Sequence, residues 1–175
     1  MDYFLVRQQG SISIPNVLLK ETKPSPTDSM EPCVRIMESG SSCKEIHHPS
    51  ADAFAELDRF DYIANEHLLS ERLKDLIEQY LPEQFWRPCV FVDLKRKEQK
   101  TFWFLPTLPY APKRVDMAPN GIPDAIYIEA CDFAKSSPGI FCVRNRNGAS
   151  FLIVHLSVAE SMLRRGICGL KLERI

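Results

Sequence analysis

The sequence of 175 residues has few glycines, and its seven glycines are scattered. None of them belongs to a Gly-x-x-x-x-Gly-Lys or Gly-x-Gly-x-x-Gly loop, the patterns in which backbone amides cradle nucleotide phosphates. A Gly-x-Ser-x-Gly elbow, which presents the nucleophile of many serine hydrolases, is missing as well. The sequence therefore contains no anchor for nucleotide-dependent chemistry and no elbow of this hydrolase type.

Long apolar runs are also missing. No stretch approaches the ~20 apolar residues that a membrane helix needs, and the first residues lack the basic and apolar regions of a secretory signal peptide. We therefore expect a cytoplasmic protein without a membrane partner.

The chain has no overall excess of either charge, because 22 Lys and Arg stand against 23 Asp and Glu. A protein that binds nucleic acid through its phosphates normally carries a strongly basic stripe, so nucleic acid is not an expected partner. The balance is uneven along the chain, with an acidic excess in residues 1–60 and a basic excess in residues 101–175. A binding surface of either sign is compatible with this distribution.

Four residues have side chains of the kind that bind zinc: Cys33, Cys43, His47 and His48. No Cys-x-x-Cys pair accompanies them, and two adjacent histidines diverge in an extended chain, so the spacing matches no familiar site. We expect loop histidines, reduced cysteines and no metal or other cofactor, with a zinc-bearing adaptor as an alternative that elemental analysis would decide.

The best candidate for a thiol nucleophile is Cys142 with His155 as its base. They lie on the two arms of a predicted hairpin, where cross-strand neighbours can touch. A cysteine within an apolar strand is usually an inert core residue, so we predict no catalytic residues. A small cysteine-dependent hydrolase or transferase remains the alternative function.

One pair of carboxylates, Asp58 and Asp61, has the three-residue spacing that would place both acids on one helix face. An exposed helix end is the simpler interpretation of this pair, and it is the one we adopt.

The pattern of apolar residues predicts an α+β fold. Short runs rich in β-branched and aromatic residues alternate with two amphipathic helical segments. We expect a single domain over residues 1–175, with a mixed, mostly antiparallel sheet of about six strands, two or three packed helices and long loops. The predicted strands are residues 3–6, 33–37, 89–94, 101–105, 125–129, 140–144, 150–156 and 170–175.

Turn and cap residues position several of these elements. Asn147-Gly148 predicts a tight hairpin turn, and Ser70 is the expected N-cap of a helix whose apolar stripe includes Leu69. Ser157 and Glu160 fit a capping box. A shorter helix is expected from Ser50. The two long loops are proline-rich segments, residues 20–50 and 106–124.

Residues 67–70 and 155–157 share a His-Leu-(Leu)-Ser pattern that leads into a helix. The simpler interpretation is a chance match between two capped helix entries, and the alternative is an internal duplication.

Two stretches, residues 63–105 and 140–175, resemble bacterial immunity proteins of the families numbered eleven and forty-three. The likeness is carried by Ser70-Glu71-Arg72-Leu73 at the start of a helix before an apolar hairpin, and by the closing order of strand, Ser-capped helix, Gly-containing turn and short strand. The chain departs from the pattern in residues 106–124, where an aspartate-containing stretch is expected after the hairpin and Asp116 is a candidate for it.

This resemblance implies a protein encoded beside a polymorphic toxin, which protects the producing cell by binding and blocking that toxin. It carries over no catalytic residues. We therefore expect a non-enzymatic immunity protein whose partner is a cognate toxin domain. The expected contact surface is loops 106–124 and 20–50, with Tyr110 as rigid apolar area.

Overall fold

The computed structural model confirms the α+β class. Within the residues that it describes, eleven strands and three α-helices form, and the strands belong to two sheets and a separate hairpin rather than to one sheet of about six strands. Ser50, Cys43, His47, His48 and Tyr110 lie outside the described residues. The structure describes residues 2–10, 32–37, 53–82, 84–106, 108, 114–127 and 139–175.

The first sheet joins the two ends of the chain and has the strand order β11-β1-β10-β9, all antiparallel. The hairpin β9–β10 closes where Gly148 adopts a φ of +82°, as the Asn-Gly pair predicts. The strand predicted at residues 170–175 forms and pairs with β1. The strands are β1 Tyr3–Gln8, β9 Ile140–Arg144, β10 Ser150–His155 and β11 Leu170–Arg174.

The second sheet has the order β2-β5-β6-β4-β3, in which only the β2–β5 pair is parallel. The hairpin β5–β6 lies inside this sheet, as predicted. Its faces are not enclosed equally, because Cys89 and Phe91 are fully buried while Val90 and Val92 are half-buried. The strands are β2 Cys33–Met37, β3 Tyr62–Ile63, β4 Leu68–Ser70, β5 Arg87–Asp93 and β6 Glu98–Phe104.

The expectation that residues 106–124 form an unbroken loop is wrong. Strands β7 Arg114–Met117 and β8 Pro123–Tyr127 form an antiparallel hairpin there. Pro123 is tolerated because it opens its strand, where a missing N–H costs least. Gly121, with a φ of +75°, supplies the left-handed residue of the turn.

Helix α2, Glu71–Glu78, starts as predicted, with the Ser70 hydroxyl accepting a hydrogen bond from the Leu73 amide at 3.2 Å. Leu69 is not part of its apolar stripe but belongs to β4, which runs directly into the helix. Helix α1, Ala53–Glu56, is a single turn followed by a 3₁₀ turn, Leu57–Arg59.

Helix α3, Leu156–Arg164, starts two residues earlier than the capping box at Ser157 predicts. Its N-cap is His155, whose Nδ1 accepts a hydrogen bond from the Ser157 amide at 3.3 Å. Gly166, with a φ of +60°, follows the helix end, as is usual for a glycine that closes a helix. Because the caps fall on different members of the shared His-Leu-Ser pattern, the chance interpretation of that pattern is favoured.

The largest apolar core fills the space between the first sheet and the helices α2 and α3. Leu152 and Val154 of β10 meet Ile77 of α2 and Val158 of α3 there. The opposite face of the first sheet packs against Val115 and Ile122 of the β7–β8 hairpin. A third group of side chains lies between the second sheet and α1. The β7–β8 hairpin is thereby held against the turn end of β9–β10.

Candidate functional site

The structure separates Cys142 from His155. Cys142 of β9 lies opposite Leu152 of β10, whereas His155 lies opposite Tyr3 of β1. Since successive side chains of a strand point to opposite faces, Cys142 faces the α2–α3 side of the sheet and His155 faces the other side. The predicted cross-strand contact between Cys142 and His155 is therefore not formed, and the thiol–imidazole alternative depended on it.

The surroundings of both groups give them structural roles. Burial raises the pKa of the Cys142 thiol to about 11, so almost none of it is thiolate at neutral pH. The His155 ring lies with its centroid 5.4 Å from that of Tyr3 and caps α3 through Nδ1. Neither arrangement activates a nucleophile.

The predicted Cys33, Cys43, His47 and His48 cluster is only partly within the described residues. Cys33 lies opposite Cys89 in the β2–β5 pair, and burial raises the pKa of the Cys89 thiol to about 12. The described part of the chain contains no group of three or more His, Cys, Asp or Glu side chains that could hold a metal ion.

The carboxylates Asp58 and Asp61 do not form the exposed helix end that the sequence indicates. Asp58 is exposed and pairs with Lys100 at 2.8 Å, but Asp61 is almost fully buried in the turn before β3. Its carboxylate accepts hydrogen bonds from the Ser70 hydroxyl and the Cys168 amide. Asp61 thus has a structural role.

A polar pair, the fully buried Tyr62 and the half-buried His67, lies on the β3–β4 hairpin. The phenol oxygen and the histidine Nδ1 are 2.6 Å apart, and His67 adopts a left-handed φ of +50°. Burial lowers the pKa of His67, and the positive charge of Arg144 lowers it further. Burial raises the pKa of Tyr62 above its usual range, with a smaller contribution from Cys142. Both groups are neutral at pH 7 and act through packing and hydrogen bonding.

A cleft of about 730 Å³ opens where the turns of the β7–β8 and β9–β10 hairpins meet. One wall is residues 115–121 and the other is residues 144–147. The Asn145 side chain ties the two walls together, since its Nδ2 donates to the Gly121 carbonyl at 3.0 Å. Its Oδ1 accepts from the amides of Asn147 and Ala149 at 3.0 and 2.9 Å. The cleft therefore has a fixed shape.

The second wall of this cleft carries two cations. Arg144 and Arg146 are both exposed, and neither guanidinium forms a hydrogen bond or ion pair with another described residue. Asp116 of the first wall is half-buried and is engaged in other interactions. Among the described residues, the cleft thus presents two guanidinium groups that have no hydrogen-bond or ion-pair partner, beside one carboxylate.

Sequence reasoning anticipated the first wall only in outline, by assigning partner contact to residues 106–124, and missed Arg144 and Arg146. A usable signal was present in the second Asn-Gly pair, Asn120-Gly121, which predicts a hairpin turn as Asn147-Gly148 does. Two such turns lying next to each other would have indicated the position of this cleft.

Comparison with known proteins does not extend this picture: no model of a known protein family matches the chain, and no curated protein is detectably similar to it. None of the helices in the described ranges is long and apolar enough to cross a membrane.

Proposed function

We propose that the chain is a non-enzymatic immunity protein that acts in the bacterial cytoplasm and neutralises a cognate toxin by binding it. The observation that carries the proposal is the cleft between the two hairpin turns. Its described walls present turn backbone, side-chain amides, two guanidinium groups, one carboxylate and a few apolar side chains, and they include no cysteine, histidine, serine or threonine. Such a surface is suited to recognition.

The scaffold below the cleft supports the same proposal. The first wall belongs to the β7–β8 hairpin, which packs on the first sheet through Val115 and Ile122. The second wall is the turn of β9–β10, which is part of that sheet, and recognition surfaces are commonly turns placed on a rigid sheet. The separation of Cys142 and His155 removes the arrangement that would favour an enzyme. The resemblance to immunity proteins rests on residues 63–105 and 140–175, which include the strand–helix units β4–α2 and β10–α3.

The direct test pairs the chain with the toxin domain encoded beside its gene. Cells that express the toxin should survive only when the chain is expressed with it, and the two proteins should co-elute as a stable complex. Cys142→Ser should protect as well as the unchanged chain. Leu163→Asp, at a side chain of α3 that is 69% exposed, is a matched surface control and should also protect.

Stoichiometry separates binding from catalysis. In a titration with purified toxin, inhibition should increase in proportion to the amount of added chain and be complete near equimolar amounts. Inactivation of the toxin by trace amounts of the chain, or a covalent change in the toxin's mass, would contradict the proposal.

A further inference from the structure

We infer that the cleft between the two hairpin turns binds an acidic protein segment, whose carboxylates are held by Arg144 and Arg146. The inference deepens the proposed function and rests on it in one respect, the assignment of that segment to the toxin. The acidic character of the bound segment follows from the residues that line the cleft and does not depend on the toxin.

Neither Arg144 nor Arg146 forms an ion pair with another residue in the described part of the chain. Several arginines of the described structure are paired: Arg7 lies 3.0 Å from Glu173, and Arg35 contacts Glu66. Arg144 and Arg146 flank Asn145 on one wall and have no such partner among the described residues. Two like charges held this close raise the local potential and favour an anion in the cleft.

The guanidinium groups and the facing wall indicate which kind of anion the cleft would bind. A guanidinium group binds a carboxylate through two parallel hydrogen bonds, which fixes both the position and the orientation of the acid. Met117, which is 37% exposed, and Pro119 line the facing wall. They offer apolar contact to the methylene groups that carry a glutamate or aspartate carboxylate.

Nucleic acid fits the cleft less well. Among the described lining residues only two cations face it, and Asp116 offsets part of their charge, whereas phosphate backbones are bound by extended basic surfaces. None of the described lining residues is aromatic, so a flipped-out base has no platform on which to stack. An acidic peptide segment needs neither feature.

The two walls of the cleft are joined within the protein itself. The hydrogen bond from Asn145 Nδ2 to the Gly121 carbonyl joins the two walls, and a Cβ on Gly121 would lie only 3.2 Å from Asn145 Nδ2. The two walls are therefore closely fitted before any ligand arrives. Little ordering of the backbone is then needed on binding, which favours affinity.

Binding of short fluorescent peptides to the full chain tests the chemistry of the cleft without the toxin. A Glu-rich peptide should bind about tenfold more tightly than the matching Gln-rich peptide, and its affinity should fall as salt is added. The double variant Arg144→Gln, Arg146→Gln should lose this preference. Arg164→Gln, at a side chain of α3 that is 80% exposed, is the matched control and should keep it.

Two results would overturn the inference. The first is equal binding of the two peptides, or a preference that the double variant retains while its thermal unfolding is unchanged. The second is tighter binding of a single-stranded oligonucleotide or of inorganic phosphate than of the Glu-rich peptide.

The toxin assay separates failure of this inference from failure of the proposed function. If the unchanged chain binds the toxin and the charge-reversed variant Arg144→Glu, Arg146→Glu binds it equally well, the acidic-segment inference is wrong and the proposed function stands. If the unchanged chain binds no toxin, the proposed function is wrong, and the peptide measurements still decide what the cleft binds. Loss of toxin binding in the charge-reversed variant alone supports both.

Discussion

The carboxylate of Asp61 accepts a hydrogen bond from the backbone amide of Cys168 at 2.7 Å, although 107 residues separate them in the chain. The Asp61 backbone amide donates in return to the Cys168 carbonyl at 3.1 Å. The second carboxylate oxygen accepts from the Ser70 hydroxyl, which also caps α2. One side chain therefore connects the turn before β11, the start of β3 and the first turn of α2.

Replacing Asp61 with alanine should destabilise the protein by about 3 kcal/mol, because its nearly buried carboxylate accepts hydrogen bonds from the Ser70 hydroxyl and the Cys168 amide and both are lost. Asp61→Asn should cost less, since one amide oxygen can still accept. Chemical denaturation measures both free energies of unfolding.

Asp75→Ala is the matched control for Asp61. The Asp75 side chain is 57% exposed on α2 and makes only a long contact of 3.5 Å with Lys74, so its loss should cost less than about 1 kcal/mol. Equal costs for Asp61→Ala and Asp75→Ala would show that the buried connection adds no stability.

Gly169 should not tolerate even alanine. It has a φ of +70°, and an added Cβ would lie 2.7 Å from the carbonyl oxygen of Arg59 and the Cα of Phe60. Left-handed strain and a backbone clash together should cost about 3 kcal/mol or more. Thermal unfolding of Gly169→Ala measures this loss.

Gly148→Ala provides the comparison, because Gly148 has a similar φ of +82° but nothing within 4 Å of an added Cβ. It should cost only the conformational strain, about 1 kcal/mol. If both alanine variants lost the same stability, the close approach of Gly169 to the 57–60 segment would be energetically unimportant.

Local sequence signals predicted the elements that form from neighbouring residues. The hairpins β5–β6 and β9–β10 and the Ser70 cap each need only a few adjacent side chains of the right kind. The β7–β8 hairpin was missed because prolines outweighed the Asn120-Gly121 signal. His155 was missed as a cap because imidazole is an uncommon cap acceptor and Ser157 fits the usual pattern.

The partition into two sheets could not be predicted in the same way. It depends on β1 pairing with both β10 and β11. These contacts span almost the whole chain, and no local sequence pattern in a strand identifies its partner. The cleft has the same origin, since its walls are separated by the residues between Gly121 and Arg144. For the same reason, Asp61 resembled an exposed helix end until its contact with Cys168 was known.

Cys142 should react slowly with a thiol reagent, because burial raises its pKa to about 11. At about pH 8 roughly one thiol in a thousand is then ionised. Cys168 is exposed and should be modified first, as measured by peptide-resolved mass spectrometry over time. Modification of Cys142 should accelerate about tenfold per pH unit until its pKa is approached. Equal rates for Cys142 and Cys168 at neutral pH would restore the nucleophile hypothesis.

His67 should make the protein less stable in mild acid. Its pKa is lowered in the folded state, first by burial and then by Arg144, so the unfolded chain binds the proton first as the pH falls. Its contribution to stability is therefore complete above the unfolded pKa of about 6.5 and is lost as the pH falls from there toward the folded value. Denaturation at several pH values should show this slope, and His67→Gln should reduce it.

Arg144→Gln should raise the pKa of His67 because a nearby positive charge disfavours the charged imidazolium. The pKa should stay below the usual value, since burial, the larger cause, is unchanged. A residue-specific NMR titration of the His67 ring measures both points, with Arg164→Gln as a control that leaves the pKa unaltered. A Glu-rich peptide seated on Arg144 should shift the pKa in the same direction as Arg144→Gln does, because its carboxylates offset the same charge. An unchanged His67 pKa in Arg144→Gln would mean that the charge of the cleft does not reach the Tyr62–His67 pair.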